Sequence, residues 1–242
     1  WTSYHSADRL VGLSPGIVDG IIKRGINPEK VASIPNGCDL DIFAIEHQPW
    51  RPEHVKDTDL MAIFTGTHGL ANGLNAVIDA ALELQKRQCT AIKLVLVGDG
   101  MQKKALQQRA KELQLTNIIF HDPVNKTKLA GLMASADIGM QILANVPAFY
   151  YGTSPNKFFD YIAAGLPVLN NYPGWLAELI SAQHCGFAVL PDNPVAFADA
   201  LEYAAAHRDE LKGMGKNAQQ VAQQQFDRQL LSQKFVDWVA RK

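Results

Sequence analysis

A doubly wound parallel α/β sheet, closed by helices at its carboxyl end, is the fold class that three observations predict. Apolar runs of strand length recur at 60–64, 92–97, 117–120, 136–142 and 167–169, as strands buried on both faces read. Segments of helical period separate them, and that alternation implies parallel strands joined by right-handed crossovers. Glycine-bearing loops at 65–73, 98–100 and 152–157 fall after strands, where such a sheet places its ligands.

The chain in order supports each element. Residues 9–13 form a short strand, Ser14-Pro15-Gly16 caps a helix to about residue 24, and Gly25 ends it. Residues 31–34 form a second strand, and Pro35-Asn36-Gly37 a turn. Residues 38–58 carry Pro49, Trp50, Pro52 and scattered charges without a period, and read as a linker or irregular crossover. Regular alternation begins at Leu60. The helix after the first glycine loop sets Leu74, Val77, Ile78, Ala81 and Leu82 on one face. Further helices are predicted to about 113, at 127–135 and near 174–181, with a last strand at 186–190. After Pro194 the pattern is helical, at 195–207, 208–225 and 228–240.

Composition narrows the class. The 242 residues are 47% hydrophobic and 19% charged, with a formal net charge of −1. That balance gives no general pull towards nucleic acid or anionic membrane. Cys38, Cys89 and Cys185 are odd in number and form no CxxC pattern, against a disulfide framework or a structural zinc site. A reducing cytoplasm is the compartment this suggests. No apolar run is long enough to span a bilayer. The chain opens at Trp1, mid-pattern, and reads as a fragment or a processed chain.

The stretch that points to function runs from Ser154 to Leu169. Ser154 suits an N-cap and Pro155 the first helical position. The amides of Asn156 and Lys157 then face outward with the positive end of the helix dipole, and Lys157 adds a full charge. Asp160, one turn on, suits sugar hydroxyls better than phosphate. Phe158, Phe159, Ile162 and Ala163 supply the buried face, and Gly165 stops the helix. Phosphate at a helix start with a hydroxyl-binding carboxylate one turn along fits a nucleotide-sugar diphosphate. Taken alone, an ordinary capped helix explains the same pattern.

Other signals are weaker. Gly98-Asp99-Gly100 lacks the third glycine of the dinucleotide fingerprint, and no Walker pattern occurs. Asp39-Leu40-Asp41 and Asp57-Thr58-Asp59 imitate a DxD metal signature, yet both precede the regular sheet without partner carboxylates, so no metal site is expected. Of seven histidines, only His68 lies in a glycine loop where it can touch a ligand. Phe149-Tyr150-Tyr151 suits stacking on a base or sugar, or packing on the sheet rim.

Together these residues resemble the C-terminal half of a retaining GT-B glycosyltransferase of family four, the glycosyl transferases group 1. Ile34-Pro35-Asn36-Gly37-Cys38-Asp39 with Phe43 resembles that family's I-P-N-G-V-D…F. Leu96-Val97-Gly98-Asp99-Gly100 resembles its V-G-x-G strand end, and residues 66–80 its glycine loop and helix. Residues 160–168 resemble E-A-M-A-x-G-x-P-V, the most specific block. The resemblance implies a Rossmann-like domain, one half of a GT-B fold. It places Asp160 on the ribose hydroxyls, the Asn156 and Lys157 amides on the diphosphate, and the loop after Phe120 at the base. The nucleotide-sugar set it implies is Gly66, Thr67, His68, Asn72, Gly98, Asp99, Thr153, Ser154, Asn156, Lys157 and Asp160.

Three departures stand out. Thr67 and Asn72 occupy positions where the family usually has an Arg and a Lys on the diphosphate, and Gly152 replaces the first Glu of its Glu-x7-Glu pair. Lys157 then replaces part of the lost charge, and His68 is placed to donate a hydrogen bond. A subset with S-P-x-K-x-x-E-Y shows the same exchange and includes transferases for amino-deoxy sugars of bacterial surface polysaccharide, such as N-acetylfucosamine. The implied donor is a UDP-N-acetyl-amino sugar, and the acceptor a polysaccharide or lipid-linked saccharide of lipopolysaccharide, O-antigen or capsule synthesis.

The resemblance also implies a division of the chain. Residues 1–36 are the end of an N-terminal acceptor domain and the crossover, 37–225 the nucleotide-sugar domain, and 226–242 a helix returning towards the N-terminal domain. Catalytic residues, the acceptor site and any peripheral contact with the inner membrane face belong to that other domain. No cofactor or metal is expected, and this chain alone is expected to bind nucleotide weakly and transfer nothing. Two other readings share the sheet: a GT-B isomerase of the UDP-N-acetylglucosamine 2-epimerase type, and a nucleotide-binding domain without chemistry.

Overall fold

The structure, a computed structural model, describes residues 2–241. The elements in order are α1 (Thr2–Ser6), β1 (Leu10–Gly12), α2 (Pro15–Ile22), β2 (Val31–Ser33), α3 (Leu40–Phe43), β3 (Leu60–Thr65), α4 (Asn75–Lys86) and β4 (Ile92–Val97). There follow α5 (Lys103–Glu112), β5 (Ile118–His121), α6 (Lys126–Ser135), β6 (Ile138–Gln141), α7 (Pro147–Tyr150), α8 (Asn156–Ala163), β7 (Val168–Asn170) and α9 (Trp175–Ala182). β8 (Gly186–Ala188), α10 (Pro194–Ala206), α11 (Arg208–Gln225) and α12 (Arg228–Ala240) complete the chain.

The main sheet has six parallel strands in the order β5-β4-β3-β6-β7-β8. Chain order runs outward from the centre on both sides, so the crossovers switch faces between β3 and β6. A cleft opens at the carboxyl ends of strands at such a switch. β3 is the central element because its apolar residues serve two cores. Leu60, Ala62 and Phe64 face a core with α4, α5 and α10, while Met61 and Ile63 face a core with α6, α8 and α11. All five are fully buried. Leu60, Met61, Ile63 and Phe64 are each worth roughly 1.5–3 kcal/mol of transfer energy, which fixes the strand's depth and so the position of the loop it feeds.

α8 lies on the second core. Phe158, Phe159, Tyr161, Ile162 and Ala163 are fully buried, a wide apolar face at helical spacing. Gly139 of β6 makes the close approach feasible, because a Cβ there would stand 2.4 Å from Tyr161 Cγ. β1 and β2 form a separate two-stranded parallel sheet beside α2. α12 reaches it: Trp238 Nε1 donates to the Leu10 carbonyl at 3.2 Å, and Arg9 lies over the Trp238 ring.

Several expectations are corrected in detail. The linker at 38–58 contains the short helix α3, anchored by buried Phe43. Leu82 is only half-buried, and Leu84 takes its place in the core of α4. α8 starts at Asn156, with Pro155 as its N-cap in extended conformation, so Ser154 is not the cap. The physical reason is a long-range competitor. Ser154 Oγ accepts the Asn36 amide at 3.2 Å, and Asn36 Nδ2 donates to the Ser154 carbonyl at 2.6 Å.

Candidate functional site

Three loops meet at the carboxyl edge over β3, β4 and β6. The first follows β3 and the second follows β4, and they are pressed together. A Cβ on Gly98, whose φ is +150°, would lie 1.9 Å from the Gly66 carbonyl oxygen, so only glycine allows this packing. Thr65, Gly66, Thr67, Val97, Gly98, Asp99, Pro123, Val124 and Leu129 line a groove of about 340 Å³ there. Lys103 braces the second loop: buried, it donates to the Gly98 carbonyl at 2.8 Å and to Asp122 Oδ1 at 2.6 Å.

The third loop leads into α8, and Lys157 joins it to the first. Lys157 Nζ donates to Asn72 Oδ1 at 3.0 Å and stands 4.3 Å from the centre of the Phe64 ring. Asn72 in turn donates to the Thr67 carbonyl at 2.7 Å. Lys157 Cε is also the nearest atom, at 3.3 Å, to a Cβ built on Gly66. Lys157 forms no ion pair among the described residues, and burial pulls its ammonium down to about 8. The result is a half-desolvated cation with a neutral amide and a π-face for partners, beside the amides of the first turn of α8. An anion is the group that this arrangement lacks.

Asp160 sits one turn further along α8, and its carboxylate takes no hydrogen bond among the described residues. Burial pushes it up to about 6, the Asp39 carboxylate adds to the rise, and Lys126 and Arg228 oppose it. Asp39 itself is held below the ordinary carboxylate range. Burial opposes that, but hydrogen bonds from Lys126 at 3.0 Å and from Arg228 outweigh it. The Asp39-Leu40-Asp41 stretch is therefore an ion-pair anchor between α6 and α12. Among the described residues no group of three or more His, Cys, Asp or Glu is placed to hold a metal ion.

His68 differs from the expectation of a loop histidine open to ligand. It is fully buried beneath the loop, its ring 6.1 Å from Phe64 and 6.3 Å from Phe120. Its backbone is fixed on both sides, the amide donating to the Asp99 carbonyl and the carbonyl accepting from Gln102. Burial and then Lys103 hold the imidazole below its ordinary range, against the pull of Asp99. Tyr150 stacks on Tyr172, and Tyr151 donates to Glu178 at 3.0 Å, so both tyrosines are engaged by protein. Thr153 donates to the Phe149 carbonyl at 3.0 Å and accepts Trp175 Nε1 at 2.7 Å through its own carbonyl.

Residues 46–221 match the model of the family Glycosyl transferases group 1. The chain belongs to that family. This group 1 chain is 27% identical over 226 residues to the D-rhamnosyltransferase WbpZ of Pseudomonas aeruginosa, covering 92% of the chain and 56% of the relative. It is 22% identical over 236 residues to the putative colanic acid biosynthesis glycosyltransferase WcaL of Escherichia coli, covering 96% of the chain and 56% of the relative. The chain thus spans about half the length of the curated relatives it matches. Its fold is that of the Anabaena HepE structure in complex with UDP and glucose, at a TM-score of 0.80 and 18% identity, over 98% of this chain and 64% of that one. WaaG, a glycosyltransferase involved in lipopolysaccharide biosynthesis, gives a TM-score of 0.75 and 20% identity, over 96% of this chain and 63% of that one. The sheet is therefore one half of a GT-B fold, and the isomerase alternative is not favoured. No helix among the described residues is long and apolar enough to cross a membrane.

Sequence reasoning missed two residues that shape this group 1 site. The buried Tyr161 hydroxyl accepts the Thr65 amide at 2.9 Å and contacts Thr65 Oγ1 at 3.1 Å, pinning α8 to the end of β3. A tyrosine on the buried face of a helix signals such a partner, since its hydroxyl must be met. Lys103 was the other. Its place five residues after Gly98 gives no local signal.

Proposed function

We propose that this chain is the donor-binding half of a retaining glycosyltransferase that takes its sugar from a nucleoside diphosphate and passes it to a saccharide or lipid-linked acceptor of surface polysaccharide. The observation that carries the reading is Lys157: an ammonium without an anionic partner, held by Asn72 beside the start of α8. In that reading the first-turn amides of Asn156 and Lys157, with the Lys157 ammonium, take the diphosphate. They then meet the charge that develops on the leaving oxygen, in a metal-independent transfer. Gly66, Thr67, Asn72, Gly98 and Asp99 bound the nucleotide, with Thr153 and Ser154 on the turn before α8 and Asp160 on the ribose hydroxyls. His68 supports the loop from below. UDP is the proposed nucleotide, since HepE was crystallised with UDP. An N-acetyl-amino sugar is the proposed donor sugar. The 1–36, 37–225 and 226–242 divisions follow, with catalytic and acceptor groups on a partner N-terminal domain.

Calorimetric titration of the chain with UDP, GDP and ADP tests this. UDP-selective binding that Lys157→Ala and Asp160→Ala both weaken is expected, with sugar transfer only by the full-length protein. Absence of binding to any of the three, together with absence of transfer by the full-length protein, refutes it.

A further inference from the structure

Behind the start of α8 lies a group of buried polar atoms that the donor reading does not use. Gln141 and Asn170 end β6 and β7 and stand opposite each other in register. Gly139 and Val168, two residues back on each strand, face the α8 side of the sheet, so Gln141 and Asn170 face it too. Tyr172 completes the group, and none of the three side chains exceeds 1% exposure. Gln141 Nε2 and Oε1, Asn170 Oδ1 and the Tyr172 hydroxyl have no hydrogen-bond partner among the described residues. A folded chain rarely leaves one such atom unmet, and four in one place call for a cause.

Their surroundings supply it. The Tyr172 hydroxyl faces both the Thr153 side chain and the Gln141 amide. Its ring is held by Tyr150, stacked at 6.2 Å with planes 15° apart. Its carbonyl accepts Asn170 Nδ2. Thr153 already donates to Phe149, so its hydroxyl has only lone pairs to offer. Thr153 also stands on the turn whose path sets the first amides of α8.

We infer that Tyr172 is a positioning residue of the donor site, relaying from Gln141 through its own hydroxyl to Thr153. In that relay Gln141 Nε2 would donate to the Tyr172 oxygen and the Tyr172 hydroxyl to Thr153 Oγ1, while Thr153 donates to the Phe149 carbonyl. Every hydroxyl then gives one proton and takes one, and the second Gln141 amide proton is left for Asn170, its register partner across the strand pair. The relay fixes the turn at 153–155 from behind, while Asn36 fixes Ser154 from the other side. The inference rests on α8 being the diphosphate seat.

The test titrates the chain, Tyr172→Phe, Thr153→Val, their pair and Gln141→Met with UDP and with uridine, and follows the thermal unfolding of each. Tyr172→Phe is expected to weaken UDP about tenfold, the scale of one hydrogen bond, and to leave uridine affinity unchanged. A packing role alone lowers the melting temperature without moving the ratio of the two affinities. The pair is expected to lose no more UDP affinity than either single change. Should Tyr172→Phe fail to fold, Gln141→Met carries the same expectation. An unchanged ratio, or additive losses in the pair, overturns the inference while UDP binding by the unsubstituted chain stands. No UDP binding by the unsubstituted chain overturns the donor reading, and the inference with it.

Discussion

Replacing Lys157 with methionine should make this chain more stable and a poorer nucleotide binder. Methionine keeps the unbranched stem over Phe64 and removes the charge. Burial lowers the ammonium from its ordinary 10.5 to about 8, which corresponds to roughly 3 kcal/mol against the charged form. Between those two values the folded chain binds fewer protons than the unfolded chain, so stability rises with pH across that window. The substitution removes the penalty but also the 3.0 Å bond to Asn72 and the contact with Phe64. A net gain of about 1–2 kcal/mol at pH 7 is expected, with a flat profile from pH 8 to 10. UDP affinity should fall roughly 10- to 100-fold, the scale of one charge-assisted bond.

Urea unfolding at pH 7 and 9.5, with calorimetric titration from pH 7 to 9, reads both effects. In the unsubstituted chain only about one tenth of Lys157 is protonated at pH 9, so UDP affinity drops roughly 5- to 10-fold from pH 7. That drop must be absent in Lys157→Met, which also controls for titration of the nucleotide itself. A variant that is less stable at pH 7 and binds UDP undiminished would refute the reasoning.

Three further outcomes follow from the same geometry. Asp160 is raised from 3.8 to about 6, so the folded chain holds more protons than the unfolded one in that window and loses stability as pH rises through it. Asp160→Asn should add up to about 3 kcal/mol at pH 7 by thermal unfolding, yet cease to distinguish UDP from its 2′,3′-dideoxy analogue. Gly98→Ala forces a Cβ to 1.9 Å from the Gly66 carbonyl at a φ of +150°, and should cost about 3 kcal/mol or more in urea unfolding. Tyr161→Phe leaves the buried Thr65 amide without its acceptor, and should cost about 1–3 kcal/mol.

The centre of the sheet was legible because β3, β4, β6 and β7 are buried on both faces. A run such as residues 60–64 has no polar side to confuse the period, and Gly165 marks the end of α8 as plainly as any residue can. What escaped was set by partners far away in sequence. Ser154 has the chemistry of a cap, but Asn36, 118 residues earlier, takes its hydroxyl. His68 stands between Thr67 and Gly69 in a loop, yet the packing of Gly98 on Gly66 turns the loop so that the imidazole points between Phe64 and Phe120. α3 and α7 span four residues each, too short to show a helical period. Gln141 sits inside an apolar run, where a lone polar residue reads as noise, and Asn170 opens an Asn-Asn pair that reads as a loop until register sets the two opposite each other.

Thr67 and Asn72 raised the sharpest difficulty in the sequence, since they leave the first loop without a cation. In the structure Lys157 Nζ lies 3.0 Å from Asn72 Oδ1, so positions separated by 85 residues share one locus. The charge is delivered from α8 instead of from the loop. If location rather than origin matters, a lysine at 72 should serve as well as one at 157. Asn72→Lys with Lys157→Met should recover most of the UDP affinity that Lys157→Met alone loses. Asn72→Lys alone should set two ammonium groups against each other, lower the stability, and restore it on adding UDP. Recovery below a few-fold in the double variant would mean that the helix delivers more than charge. The alignment of Lys157 with its own first-turn amide would then be part of the binding energy.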